Sequence, residues 1–150
     1  MRPFVQRAAA IRAAAVFAAS LAFLAAGVGP VRAAEDGGLI PVAVTCEHPL
    51  VAGRVRCELE ARAAAGESIA WGDAVLVGVP AFATALRGRI GPADALERTP
   101  ERWRWAFALV ARERGHGDLA ARVRLVVCRG SACAARELPV TGRVSVGPEN

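Results

Sequence analysis

Between residues 54 and 62, apolar and charged side chains alternate without a break. Val55, Cys57, Leu59 and Ala61 fall on one side, and Arg54, Arg56, Glu58, Glu60 and Arg62 on the other. A period of two predicts a strand with one buried and one wetted face, the pattern of an antiparallel sheet. Just upstream, Ile40 to Cys46 places Val42, Val44 and Cys46 on one face. Glu47 to Gly53, punctuated by Pro49 and Gly53, connects the two strands. If the second strand folds back with Cys46 opposite Cys57, Val44 meets Leu59 and Val42 meets Ala61. Every inward residue then has an inward partner, and a slip of one residue would turn the apolar face to water.

The same period recurs downstream. Arg102 to Arg112 sets Trp103, Trp105, Phe107 and Leu109 against Arg102, Arg104 and Arg112. Leu119 to Cys128 puts Val123, Leu125 and Val127 inward and Arg122 and Arg124 outward. Leu138 to Val146 aligns Leu138, Val140, Val144 and Val146, with a bulge expected at Gly142. Ser68 to Val79 is apolar, carries Trp71 near its start, and predicts a bulge or bend at Gly72-Asp73 before Pro80 ends it. Ala81 to Leu86 reads as a further short strand. Ala64 to Glu67 and Glu113 to Asp118 read as turns. Arg87 to Pro100 reads as a loop with one helical turn over Pro92 to Glu97, Pro at its first position.

Six to eight short strands and no long helix predict an all-β fold, an immunoglobulin-like antiparallel β-sandwich over residues 40–146. Its expected core is Val55, Cys57, Leu59, Trp103, Trp105, Phe107, Val123 and Leu125. Short tails are expected over 34–39 and 147–150.

The first 33 residues break the pattern. Arg2, Arg7 and Arg12 precede an apolar stretch from Ala13 to Val28, and Val31-Arg32-Ala33 supplies small or apolar residues where a signal peptidase reads. This layout predicts a cleavable signal peptide ending at Ala33. The apolar run is shorter than the roughly 20 residues a spanning helix needs, so no stable membrane insertion is expected after cleavage. The expected location is periplasmic or secreted. Removing the signal changes the charge. Of the 19 basic residues, all arginine, four lie before Ala34, which leaves 15 against 14 acids. A balance near +1 gives no electrostatic footprint for nucleic acid.

Four cysteines, all beyond the signal, suit an oxidising compartment. Cys57, Trp71 and Cys128 have roughly the spacing of the immunoglobulin Cys-Trp-Cys set. Strand parity opposes that pairing, because Cys57 shares a face with Val55 and Leu59 whereas Cys128 shares one with Arg122 and Arg124. Local pairing, Cys46 with Cys57 and Cys128 with Cys133, is expected instead. The first disulfide should be buried and inert. The second closes a short exposed turn, Arg129-Gly130-Ser131-Ala132, and Arg129 and Arg124 should favour a thiolate there. His48 and His116 fall in turns without ligand spacing, so no metal is expected. No nucleophile elbow or phosphate loop suggests a cofactor.

The stretch Gly117-Asp118-Leu119 through Val127-Cys128-Arg129-Gly130-Ser131-Ala132-Cys133 to Leu138-Pro139-Val140 resembles the closing hairpin of the N-terminal periplasmic domain of the thiol:disulfide interchange protein DsbD family. The resemblance spans roughly Trp103 to Val146. It implies an immunoglobulin-like sandwich, a redox-active pair at Cys128 and Cys133, and a thioredoxin-like partner. The family's aromatic before the first cysteine and Pro pair after the second are replaced here by Leu125 and Val126, and by Ala134 and Ala135.

Two functions follow as expectations. The first is a small exported β-sandwich acting as a binding or structural module toward a periplasmic or extracellular protein, without catalysis. The second is a thiol:disulfide exchange module whose catalytic residues are Cys128 and Cys133.

Overall fold

A computed structural model describes residues 40–148. The expected signal peptide over 1–33, the tail over 34–39 and the last two residues lie outside the described residues. Among the described residues nine strands follow in chain order: β1 (Val42–Cys46), β2 (Gly53–Arg62), β3 (Ser68–Gly78), β4 (Ala83–Ala85), β5 (Arg89–Ile90), β6 (Ala95–Arg98), β7 (Arg102–Ala111), β8 (Gly115–Arg129) and β9 (Ala132–Val146). All pairings are antiparallel.

One sheet runs β1-β2-β7-β4, with β6 also on β7; the other runs β5-β3-β8-β9. In immunoglobulin lettering β1-β2-β7-β6 is the A-B-E-D order and β5-β3-β8-β9 the C′-C-F-G order, with β4 an extra short strand on β7. The protein is thus an immunoglobulin-like β-sandwich. Each long strand turns its apolar set inward because period-two side chains leave one face for the opposite sheet. Val55, Leu59, Trp105, Leu109, Leu119, Val123, Leu125 and Val144 are fully buried between the sheets. The eight expected core residues are all buried.

The expected first hairpin register is the observed one: Val42 pairs Ala61, Val44 pairs Leu59 and Cys46 pairs Cys57. Several boundaries differ. The turn before β8 is shorter than expected, since the strand already begins at Gly115 and pairs Val146. β9 likewise begins at Ala132, because the β8–β9 ladder runs unbroken to the hairpin tip. Within Arg87 to Pro100 the turn is a 3-10 turn over Pro92–Asp94 only, flanked by two short strands. Gly147, expected in a tail, is buried and donates to the Pro49 carbonyl at 2.9 Å.

Both expected glycine bulges are corrected. Gly142 sits in continuous register opposite Leu119. A β-carbon there would strike Val44 Cγ1 at 2.7 Å and the Val44 carbonyl oxygen at 3.0 Å. Glycine is needed for close approach of the two edge strands, not for a bulge. Gly72 pairs Leu125 regularly, and the two β3 irregularities fall between Ile69 and Trp71 and between Leu76 and Gly78. A β-carbon at 72 would meet Leu125 Cδ2 at 2.8 Å and the Trp105 ring at 3.1 Å. The indole at the centre of the core therefore comes from β7, and Gly72 on the facing sheet makes room for it.

Candidate functional site

The β8–β9 hairpin closes through a two-residue turn, Gly130-Ser131, between the paired Arg129 and Ala132. Gly130 takes φ 59°, the left-handed region that such a turn requires and glycine enters without steric cost. Cys128 and Cys133 are directly opposite and disulfide-bonded, with Cα atoms 4.0 Å apart. Cys133 is exposed and Cys128 half-buried. Both point to the outer face of the β5-β3-β8-β9 sheet, as the parity of Arg122 and Arg124 predicts. The Ser68 hydroxyl donates to the Cys128 carbonyl at 3.4 Å and ties the hairpin base to β3.

The other cystine joins Cys46 and Cys57, also opposite one another, with Cα atoms 4.0 Å apart. Cys57 is fully buried and Cys46 half-buried. The described residues contain no free cysteine. Both cystines therefore link neighbours within a sheet, and neither crosses the core from Cys57 to Cys128.

The two cystines share a further feature. β1 is the edge of one sheet and β9 the edge of the other, and each cystine fastens an edge strand to its inner neighbour. These two edges meet on one flank of the sandwich, where Gly142 lies against Val44. Edge strands carry unpaired backbone groups and are where sheets fray and mispair.

On the outer face beside the hairpin, Trp71 pairs Val126, which in turn pairs Ala135. Trp71 is 38% exposed, so this row is an apolar step next to the Cys128–Cys133 row. In the next row along, Asp73 pairs Arg124. The Asp73 carboxylate is completely covered, yet it is not sunk in the apolar core. It accepts from Arg124 Nε at 2.8 Å and from Arg89 Nε at 2.8 Å, and the Arg124 Nη2 also reaches it. The hydrogen bonds from Arg124 first, then those from Arg89, hold its carboxyl below the usual carboxylate range against the opposing cost of burial. Sequence reading passed over Asp73, which lies in a Gly-Asp pair that read as a bend. The available signal was an acid at an outward position of an otherwise apolar strand.

This network changes the electrostatics of the hairpin. Arg124 is engaged by Asp73, and its own pKa is raised by that hydrogen bond. Arg129 reaches Glu67 at 3.2 Å. Both arginines expected to favour a Cys128 or Cys133 thiolate have their charge compensated by carboxylates. On the other sheet, Glu97 accepts from Arg102 Nε at 2.9 Å and from its Nη2 at 2.8 Å in a bidentate pair, and Glu58 accepts from Arg104 at 2.6 Å. Arg102 lowers the Glu97 pKa, and Glu58 raises that of Arg104.

His48 and His116 lie on one shallow cleft with Arg114 and Arg143 at the end of the sandwich. Among the described residues, no three His, Cys, Asp or Glu side chains form a metal-binding group. No described helix is long and apolar enough to cross a membrane.

No protein-family model and no curated protein sequence matches the chain. Among solved structures the chain is similar to AggA, the major subunit of aggregative adherence fimbriae type I from Escherichia coli. That likeness has 10% identity and a TM-score of 0.35, and covers 72% of this chain and 95% of that one. Strand order carries the immunoglobulin-like fold, independently of this likeness.

Proposed function

We propose that the protein is an exported, non-catalytic β-sandwich that serves as a structural or binding module. The observation that carries this reading is the placement of both cystines. Each locks an edge strand, on the one flank where the two edges meet. Such staples guard a small domain outside the cell, where thiols oxidise and chaperoning is scarce. The covered charges fit the same reading, since Asp73 is held by two arginines and works as a lock on the outer face.

A second reading is thiol:disulfide exchange through Cys128 and Cys133. It is favoured by the exposed Cys133 and by the apolar step of Trp71, Val126 and Ala135 on which a partner could seat beside the disulfide. Compensation of Arg124 and Arg129 weighs against it, because a stable leaving thiolate needs uncompensated positive charge nearby.

One experiment separates the two. The Cys133→Ser protein is expressed with its export signal, and mixed disulfides are trapped by acid quenching and alkylation. The module reading expects no specific covalent partner and a wild-type disulfide that does not turn over with a reduced thioredoxin-like protein. Capture of one specific partner through Cys128 would overturn it in favour of exchange.

A further inference from the structure

Between β4 and β6 the edge of β7 is incomplete. β4 covers Leu109 to Ala111 and β6 covers Trp103 to Trp105, so among the described residues no strand pairs Ala106, Phe107 and Ala108 on that side, where the Leu86 N–H donates to the Ala108 carbonyl at 3.1 Å. Their other side is filled by Glu58, Cys57 and Arg56 of β2. The chain between β4 and β6 leaves this sheet, adds β5 to the opposite one, and returns. It thereby raises a lip beside the notch. The result is an open groove of about 870 Å³.

The groove has two chemically different parts. One is apolar. Leu86 and Leu96, on the lip, are 54% and 59% exposed, among the most exposed large apolar side chains described, and Ala106 and Ala108 lie in the notch they flank. The other is cationic. Arg54 and Arg56 also line the groove, and the register sets Arg56 directly across from Ala108. Among the described residues neither arginine takes part in an ion pair, whereas Arg62, Arg102 and Arg104 of the same sheet all do. The lining carboxylates do not cancel them. Glu58 is held by Arg104, and Asp94 by Arg87 and the Gly91 N–H. Glu47 alone remains, one acid to two cations.

We infer that this groove binds an anionic amphiphile: a carboxylate head on Arg54 and Arg56, with a hydrocarbon tail along Ala108 and Ala106 to Leu86 and Leu96. The size lies within the range of small-molecule sites, which combine an apolar lining with a few placed polar groups. Guanidinium is the group that pairs a carboxylate with two parallel hydrogen bonds. A bound peptide strand is disfavoured, because the notch spans three residues and offers too short a ladder for strand addition. Recognition falls instead to the side chains, which supply grease at one end and positive charge at the other.

The inference rests on the binding half of the module reading and names its ligand class. Its test does not involve the cysteines, so its failure leaves the staple argument and the trapping experiment untouched. The probes are octanoate, decanoate and decan-1-ol, titrated below their aggregation limits by calorimetry or by amide chemical shifts. Decanoate should bind, with affinity rising about twofold to fourfold per methylene over octanoate. Decan-1-ol should bind about tenfold or more weakly, the loss expected when charge-assisted hydrogen bonds are removed. The Arg54→Ala/Arg56→Ala protein, altered only at exposed positions, should bind decanoate like the alcohol and keep its near-ultraviolet circular dichroism. Leu96→Ser should weaken decanoate without restoring parity with the alcohol. No binding, no dependence on chain length, equal binding of acid and alcohol, or an unchanged double variant would each overturn the proposal. Displacement of decanoate by an oligoglutamate peptide at similar concentration would overturn it in favour of an acidic peptide.

Discussion

Gly142 of β9 lies directly against Val44 of β1, so close that a β-carbon would fall 2.7 Å from Val44 Cγ1 and 2.8 Å from its Cβ. This contact brings the edges of the two sheets together. Gly142→Ala should therefore push β1 away from β9 and cost about 1–3 kcal/mol, the usual penalty for overpacking. Denaturant unfolding checks it. A change below about 0.5 kcal/mol, as for an ordinary surface site, would mean that the flank is loose.

Trp105 is fully buried, and among the described residues its indole Nε1 has no hydrogen-bond partner. Trp105→Ala should cost about 3–5 kcal/mol by removing a large core side chain. Trp105→Phe should cost much less, because the smaller cavity is partly offset by loss of the orphaned donor. Equal losses for the two variants would contradict this account.

Asp73 links stability to pH. Its folded pKa lies below the ordinary value of 3.8, so at acid pH the unfolded state binds the proton more readily. The contribution is present above about pH 4 and fades as pH falls through the folded pKa. Urea midpoints from pH 6 down to pH 2.5 should drop more steeply in the wild type than in Asp73→Asn. Parallel curves would show that the Arg124 and Arg89 contacts do not hold in solution. At neutral pH Asp73→Ala should cost about 1–3 kcal/mol, since it leaves two arginines without their shared acceptor. Both guanidinium groups remain partly hydrated, which keeps the loss below that of a deeply buried pair.

The two cystines should differ in access more than in value. Their sequence separations of 5 and 11 correspond to about 2 and 3 kcal/mol of unfolded-state restraint. Cys133 is exposed, whereas Cys57 is buried. Under native conditions dithiothreitol should open Cys128–Cys133 first, read by stepwise alkylation and peptide mapping. Simultaneous opening would imply that β1 frays far more than its packing suggests.

Although β5 and β6 read as loop, the sequence alone determined the long strands, their inward faces, the first hairpin register and the local pairing of both cystines. These rest on period-two alternation, and a single register satisfies every apolar residue of β1 and β2. Tertiary structure decided what distant segments do to one another. Gly142 and Gly72 read as bulges in their own strands, but each is glycine because of a residue more than thirty positions away, Val44 or Trp105. Asp73 read as part of a bend and became the covered acid of the outer face only when β5 and β8 brought Arg89 and Arg124 to it. The groove at Ala106 to Ala108 depends on where β4 stops and β6 starts, two short strands whose bounds no local pattern marks. Alternation reports which side of a strand meets the core. Contact distances between chain segments far apart in sequence are set only when the two sheets pack.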